Sequence, residues 1–328
     1  MVNLNKDELL SYFKNDIVAI NEAMRQDLEV IKEPLLKEIV EHTLFSGGKR
    51  IRPLLTVFCA RLCGRDEPAH AVAMAFEYIH VATLLHDDVI DHAEKRRGRP
   101  AAHTIWGVVP VILAGDYLHA RSLYIAGTMN RPLGLERLCA AISAMVEAEF
   151  LQLRHAGDFT LNEEDYFRVL HGKTGILIAA ACEVGAILAD APAEEVSALR
   201  TYGMNLGLAF QVIDDLLDYL GDPEQTGKVA GNDFVEGKLT LPLIHALAKA
   251  SEPEQKPVFT LLSGGPEARR DLFGHIHSLI NAHDGFGYAR SQAGRFVAEA
   301  LGQLDRFPPS LTKELLIGLA NYVLVRQK

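Results

Sequence analysis

Two acidic clusters with the same spacing constrain the fold of this chain more than any other feature. The motif Asp-Asp-x-x-Asp occurs at residues 87–91 and again at residues 214–218, each time within a long stretch rich in Leu, Val and Ile. On a helix, carboxylates four residues apart share a face and repel one another. A single cluster could be a solvated helix face, but two clusters among apolar residues require cations. The sequence therefore predicts two acid-bearing helices that bind a hard divalent cation, Mg²⁺.

The two clusters together predict a reaction type. If their helices face each other across a bundle, six carboxylates hold several Mg²⁺ ions, and water and phosphate oxygens fill the remaining positions. The predicted metal ligands are Asp87, Asp88, Asp91, Asp214, Asp215 and Asp218. Magnesium that bridges a diphosphate stabilises it as a leaving group, so the expected chemistry is ionisation of a carbon-oxygen bond.

Basic residues near the clusters are candidate diphosphate ligands. Arg96 and Arg97 follow the first cluster, and the segment 47–52 combines two glycines with Lys49, Arg50 and Arg52. Guanidinium groups and helix N-termini bind phosphate, although an exposed basic turn would have the same composition. Weaker candidates for diphosphate ligands are Lys173 with Thr174, Lys228, Lys238 and His80. Each of these could equally be an ordinary surface or structural residue.

Composition excludes several classes of protein. A formal net charge of -10 without a Lys/Arg run argues against nucleic-acid binding. The four cysteines form no CxxC pair, which is typical of a reducing compartment; Cys59 and Cys63 could share a helix face as metal ligands, but core packing is the simpler interpretation. The N-terminus lacks the apolar core of a signal peptide, and the longest apolar run, 105–115, is about half of the ~20 residues of a membrane span. We therefore expect a cytoplasmic protein without a membrane span.

Apolar residues recur at helical spacing along almost the whole chain, and no stretch shows the alternation of a strand. Only residues 221–237 have the composition of an extended loop. The predicted architecture is all-α, with residues 1–328 in a single domain. Predicted helices cover residues 10–31, 35–44, 53–62, 68–95, 105–129, 135–155, 162–188, 193–220 and most of 239–326.

The motifs together resemble the all-trans polyprenyl diphosphate synthases. They occur in the family's order and cover nearly the whole chain: Gly47-Gly48-Lys49-Arg50-Ile51-Arg52-Pro53, His86-Asp-Asp-x-x-Asp91 through Arg96-Arg97-Gly98, Gly115-Asp116, Lys173-Thr174, Phe210-Gln211-x-x-Asp-Asp-x-x-Asp218 and Gly237-Lys238-Leu-Thr-Leu-Pro242. The resemblance implies a helical bundle with a deep central cavity, of the isoprenoid synthase type. It also implies a homodimer that joins isopentenyl diphosphate to an allylic diphosphate such as farnesyl diphosphate.

The resemblance also assigns roles by position. Asp87, Asp91 and Asp214 would bind Mg²⁺, with the other three aspartates beside them. The allylic diphosphate would be held by Arg96, Lys173, Thr174, Gln211, Lys228 and Lys238. Isopentenyl diphosphate would be held by Lys49, Arg52, His80 and Arg97. The residues expected to act directly in catalysis are Asp87, Asp91, Asp214, Lys173 and Arg96.

Small residues before the first cluster bear on product length. Ala82 and Thr83 precede Asp87 by five and four residues, about one helical turn. In the family that this chain resembles, short-chain members often carry an aromatic residue there, whose bulk would block the cavity. The small side chains of this chain therefore favour a long product near the octaprenyl class. Three alternatives stay open. The first is a geranylgeranyl-type synthase, and the second is a terpene cyclase, whose second metal motif typically has Asn, Ser and Glu. The third is a non-catalytic subunit of a heteromeric synthase, which would lack one cluster or the Gly-Gly-Lys turn.

Overall fold

The structure is a computed structural model that describes residues 6–65, 67–96, 98–155, 161–221, 231–262 and 264–326. The described chain is almost entirely helical, which confirms the predicted all-α class. Its only strands are the two-residue β1 and β2, which pair antiparallel with Arg96 opposite Arg99.

The first half of the chain contains, in order, α1 (Lys6–Leu28), α2 (Pro34–Phe45), α3 (Ile51–Leu62), α4 (His70–Ile90), β1 (Lys95–Arg96), β2 (Arg99–Pro100), α5 (Ala102–Trp106), α6 (Val108–Gly127) and α7 (Pro132–His155). The second half contains α8 (Glu163–Leu170), a π-helical turn (His171–Gly175), α9 (Ile176–Leu188), α10 (Ala193–Leu220), α11 (Asn232–Val235), α12 (Leu241–Lys249), α13 (Glu252–Leu262), α14 (Pro266–Ala282), α15 (Gly285–Gln303), a 3₁₀ turn (Leu304–Arg306) and α16 (Leu311–Val325).

The chain divides into two compact units. The first comprises Met1–Ile142, Leu177–Arg200 and Arg306–Gly318. Within it α4 packs against α1, α3 and α6, and α9 is buried from Leu177 to Leu188. The second unit comprises Ser143–Ile176, Thr201–Asp305 and Leu319–Lys328, and in it α12 packs against α14 and α15. The single domain and the central cavity expected from the sequence stay predictions.

Helix boundaries differ from the predicted ones where the backbone leaves regular geometry. Gly107 has φ 84 and separates α5 from α6, which the sequence predicted as one helix. A π-helical turn divides the predicted helix 162–188, although its start is confirmed: the Asn162 side chain accepts the N–H of Asp165 at 3.0 Å. The predicted loop at 221–237 is wrong in part, since α11 forms a helical turn there; residues 222–230 lie outside the described residues.

One helical stretch, Glu163–Leu188, is long and apolar enough to pass for a membrane span by length and composition. However, 78% of its most apolar window is buried inside the fold. A buried core helix accounts for this composition.

Candidate active site

The first acidic cluster lies at the C-terminal end of α4. The Asp91 N–H donates to the carbonyl of Asp87 at 2.8 Å, so both residues belong to the same helical turn. Asp87 is half-buried and Asp91 is exposed. The predicted spacing of these two carboxylates on one helix face is therefore present.

The chain turns sharply after the first cluster. His92 has φ 52, the left-handed conformation that ends many helices, and the N–H of Ala93 donates back to the carbonyl of Asp88 at 3.0 Å. The β1–β2 hairpin follows and returns Arg96 to the end of α4. Arg97, a predicted isopentenyl diphosphate ligand, lies outside the described residues.

Asp88 differs from its neighbours because it is buried and bonded to Arg96. Arg96 Nε donates to both carboxylate oxygens at 2.7 and 2.8 Å, and Nη2 lies 2.6 Å from Oδ1. The Asp88 side chain is 4% exposed, whereas that of Arg96 is 35% exposed. A buried carboxylate with a two-point arginine contact orients that arginine, while the guanidinium edge that remains exposed can bind an anion.

The glycine-rich basic turn before α3 is anchored by Arg50, which the sequence did not single out from its neighbours. Its guanidinium lies 2.7 Å from the buried Glu77 carboxylate and donates to the carbonyl of Leu44 at 2.5 Å. Gly47 and Gly48 have φ 114 and 131, which favour glycine. With Arg50 buried, the two predicted ligands on either side of it, Lys49 and Arg52, are exposed and half-buried respectively.

The other predicted residues of the first unit lie on α4. Ala82 is fully buried, whereas His80 and Thr83 are partly exposed. The Thr83 hydroxyl donates to the carbonyl of His80 at 2.8 Å. The two positions proposed to limit product length thus differ in the room around them.

In the second cluster, Asp215 is buried within a hydrogen-bond network. Tyr166 donates to one of its oxygens at 2.6 Å, and the side-chain amide of Gln211 donates to the other at 2.8 Å. The hydroxyl of Thr174 in turn donates to the side-chain oxygen Oε1 of Gln211 at 3.0 Å. Burial, followed by the nearby charge of Asp233, raises the pKa of Asp215 to about 7. Both carboxylate oxygens are engaged, so Asp215 holds Gln211 and Tyr166 in place.

The remaining two acids of the second cluster have different partners. Asp218 accepts the N–H of Asp233 at 3.1 Å, which brings the start of α11 next to the cluster. Arg326, the residue after α16, lies 2.8 Å from Asp214. Asp233 and Arg326 therefore add one acidic and one basic side chain to the surroundings of the second cluster, and the motif spacing did not reveal either.

The π-helical turn carries Lys173 and Thr174 in the second unit. Lys173 Nζ lies 2.7 Å from Glu149 and donates to Gln152 at 3.3 Å. Insertions of this kind into a helix are frequent at functional sites because they reorient side chains. Lys238 follows Gly237, whose φ is 86, and donates to Glu236 at 2.9 Å. Lys228 lies outside the described residues.

Comparison with known proteins identifies the family. The family model described as polyprenyl synthetase matches residues 33–276, most of the chain. The chain belongs to the polyprenyl synthetase family. This polyprenyl synthetase is similar to octaprenyl diphosphate synthase of Escherichia coli K12. The two sequences are 35% identical over 326 residues, which cover 99% of this chain and 100% of the relative.

Two solved polyprenyl synthetase structures are similar over the whole fold. The polyprenyl synthase of Caulobacter crescentus, solved with calcium and isoprenyl diphosphate, gives a TM-score of 0.91 at 38% identity and covers 98% of both chains. Geranylgeranyl pyrophosphate synthetase of Pyrococcus horikoshii gives 0.90 at 30% identity and covers 98% of this chain and 99% of its own. The prediction of a polyprenyl diphosphate synthase family member is confirmed, and with it that the chain is a prenyltransferase.

Some of the six aspartates of this polyprenyl synthetase are better placed than others to bind a hard divalent cation. Asp87 is half-buried and Asp91 is exposed, both on one helical turn, and the Asp214 side chain is 42% exposed. By contrast, Asp88 and Asp215 are buried, and both oxygens of each carboxylate accept hydrogen bonds. All-oxygen sites with room for water are what Mg²⁺ requires.

Proposed function

We propose that this enzyme condenses isopentenyl diphosphate with an allylic diphosphate such as farnesyl diphosphate, repeatedly, to make a long all-trans polyprenyl diphosphate near the octaprenyl class. The observation that carries the proposal is the pair of acidic clusters, in each of which a buried aspartate holds a candidate diphosphate ligand: Asp88 holds Arg96, and Asp215 holds Gln211. The near full-length similarity to an octaprenyl diphosphate synthase supports the long product.

In this proposal Asp87, Asp91 and Asp214 hold Mg²⁺. The metal, when bound, neutralises the allylic diphosphate and makes it a better leaving group. The calcium and isoprenyl diphosphate in the Caulobacter relative support binding of a divalent cation together with a diphosphate in this fold. Asp88, Asp215 and Asp218 serve the site by holding Arg96, Gln211 and the start of α11.

The cations of the chain bind and orient the two substrates. Arg96 binds the allylic diphosphate in this proposal through the guanidinium edge that Asp88 leaves exposed, and Lys173 and Thr174, on the π-helical turn, are proposed ligands of the same diphosphate. Gln211, Lys228 and Lys238 complete this group. Lys49, Arg52, His80 and Arg97 bind isopentenyl diphosphate, and the buried Arg50–Glu77 pair fixes the turn that carries Lys49.

A second molecule of this chain is the proposed partner, and the support is an apolar stripe on α6. Val109, Leu113 and Tyr124 have 66, 59 and 61% of their surface exposed, and Val108 and Ile112 extend the same stripe. Helical spacing puts these residues on one face, as in helices that pack against a neighbour. The free state of all four cysteines is in keeping with a cytoplasmic location.

One assay tests the proposed activity. Purified protein is incubated with farnesyl diphosphate, isopentenyl diphosphate and Mg²⁺, and the product mass is read. We expect a ladder of five-carbon additions that ends near eight isoprene units. A product that stops at geranylgeranyl diphosphate would favour the shorter-chain alternative, which the similarity to the Pyrococcus structure supports. The absence of any condensation product would favour a non-catalytic subunit.

A further inference from the structure

His86, Asp116 and His119 form a group of potential metal ligands apart from the two acidic clusters. His86 lies on α4 and the other two residues on α6, all within the first unit. One ligand atom from each residue lies within 4.8 Å of the other two, and His86 Nε2 is 3.6 Å from Asp116 Oδ1. We propose that these three side chains bind a divalent transition-metal ion such as Zn²⁺.

The local sequence brings the three side chains together. Asp116 and His119 are three residues apart on α6 and therefore share a face of that helix. The His86 ring packs edge to face against the His119 ring, with centroids 5.6 Å apart. Gly115 makes this possible, because a Cβ atom at that position would collide with the imidazole of His86. The glycine therefore keeps the space into which His86 extends.

The donor set distinguishes this group from the acidic clusters. Two imidazoles with one carboxylate are typical ligands of zinc and related transition metals, whereas Mg²⁺ prefers oxygen alone. His86 and Asp87 are successive residues on α4, so their side chains diverge by about 100° around the helix axis. An ion bound by His86 is therefore not the ion that Asp87 and Asp91 hold.

Three protein ligands leave one position of a tetrahedral ion for water. In the structure His86 Nε2 is 3.1 Å from the carbonyl oxygen of Ile112. Because a carbonyl oxygen only accepts, Nε2 donates its hydrogen here, and this hydrogen bond would have to break if Nε2 is the atom that binds the ion. The ion joins α4 to α6 and so stabilises the helix end that carries the first acidic cluster.

Cobalt(II) is the probe that tests the site, since it replaces zinc and its visible absorption responds to nitrogen ligands. Metal-free wild-type protein is titrated with Co²⁺ in excess Mg²⁺, which occupies the all-oxygen sites. We expect one Co²⁺ per chain with absorption characteristic of mixed nitrogen and oxygen ligands. His119→Leu removes a direct ligand and is expected to weaken Co²⁺ binding by about 100-fold or more, beyond the usual effect of an outer partner.

Two controls locate the site. Asp87→Asn is expected to keep the Co²⁺ absorption, because Asp87 is not one of the three ligands. Leu113→Glu, on the exposed stripe of α6, is expected to keep it too if the site lies within one chain. Loss of the signal in either control would overturn the assignment to His86, Asp116 and His119 of a single chain.

A thermal measurement separates binding from misfolding. Zn²⁺ is expected to raise the melting temperature of wild type but not that of His119→Leu, because only a ligand that binds the folded state stabilises it. If His119→Leu does not fold, His119→Gln takes its place, since it keeps a polar side chain. Equal Co²⁺ absorption in wild type and the folded His119 variant would show adventitious binding and overturn the proposal. None of these readouts depends on prenyltransferase activity.

Discussion

The guanidinium of Arg326 lies 2.8 Å from Oδ1 of Asp214, the first acid of the second cluster. The same group donates to the carbonyl of Phe210 at 2.5 Å and lies 3.8 Å from the centre of the Phe210 ring. The Arg326 side chain is only 3% exposed. Phe210 thus fixes a buried cation beside a carboxylate that is proposed to bind Mg²⁺, and the metal must bind next to this positive charge.

Replacement of Arg326 by Gln is expected to tighten Mg²⁺ binding to the substrate-free enzyme by about tenfold. A unit positive charge near a cation site opposes the metal, and at a partly buried site the effect amounts to a few kcal/mol at most. Titration calorimetry with Mg²⁺ measures the affinity without requiring turnover. The matched control is Arg290→Gln, an exposed arginine on α15. Unchanged or weaker binding in Arg326→Gln would show that the arginine does not compete with the metal.

Neighbouring aspartates of the first cluster are expected to respond differently to substitution. Asp87→Asn removes a proposed metal ligand and should lower kcat by about 1,000-fold or more, because the metal contributes several kcal/mol to leaving-group stabilisation. Asp88→Asn should instead release Arg96 and raise the KM for the allylic diphosphate while the Mg²⁺ affinity stays close to wild type. Steady-state kinetics at varied Mg²⁺ and allylic substrate distinguish the two. Equal loss of Mg²⁺ affinity in both variants would make Asp88 a metal ligand.

Thr83→Phe is expected to shorten the product, because an aromatic ring about one turn before the first cluster reduces the space available to the growing chain. Ala82→Phe is a harsher change: Ala82 is completely buried, and overpacking costs about 1–3 kcal/mol of stability. Product mass is compared with that of Ala71→Phe, which adds the same ring at an exposed position on α4. A product distribution identical to wild type in folded Thr83→Phe would place the limit elsewhere.

The sequence predicted those parts of the site that depend on local spacing. Asp87 and Asp91 share a helical turn because four residues make about one turn, whatever surrounds the helix. The partner of Asp88 depends on the hairpin that returns Arg96, and no periodic pattern marks that turn. Tyr166 and Phe210 reach Asp215 and Arg326 across 49 and 116 residues of sequence, so only tertiary packing brings them together. The sequence signal for Arg326 is an arginine that directly follows the apolar stretch of α16.

Leu113→Glu is expected to convert a dimer into a monomer. Leu113 is 59% exposed at the centre of the apolar stripe on α6, and a carboxylate there could not be buried against a second copy without a partner. Light scattering after size-exclusion chromatography gives the mass of each variant. Val30→Glu introduces the same charge at a position 48% exposed outside α6 and should leave the mass unchanged. A wild-type mass equal to one chain would contradict the proposed homodimer.

The fall in stability at acidic pH is expected to come in part from Asp16, which binds Arg61 at 2.9 and 3.2 Å and His70 at 2.9 Å. Burial alone would raise the pKa of Asp16, but the hydrogen bonds from His70 and Arg61 outweigh it and leave this pKa below its ordinary value. A carboxyl whose pKa is lower in the folded state contributes stability that is complete above its unfolded pKa of about 3.9, and that is lost as the pH falls through the folded pKa.

Asp16→Asn should therefore be less stable than wild type at pH 6, and the difference should shrink as the pH falls below about 4. Urea unfolding of metal-free protein at a series of pH values measures the free energy of unfolding at each point. Asp271→Asn, at an exposed position on α14, removes the same charge and should follow the wild-type profile. A constant difference between Asp16→Asn and wild type from pH 6 to pH 3 would mean that packing, and not the charge of Asp16, accounts for its contribution.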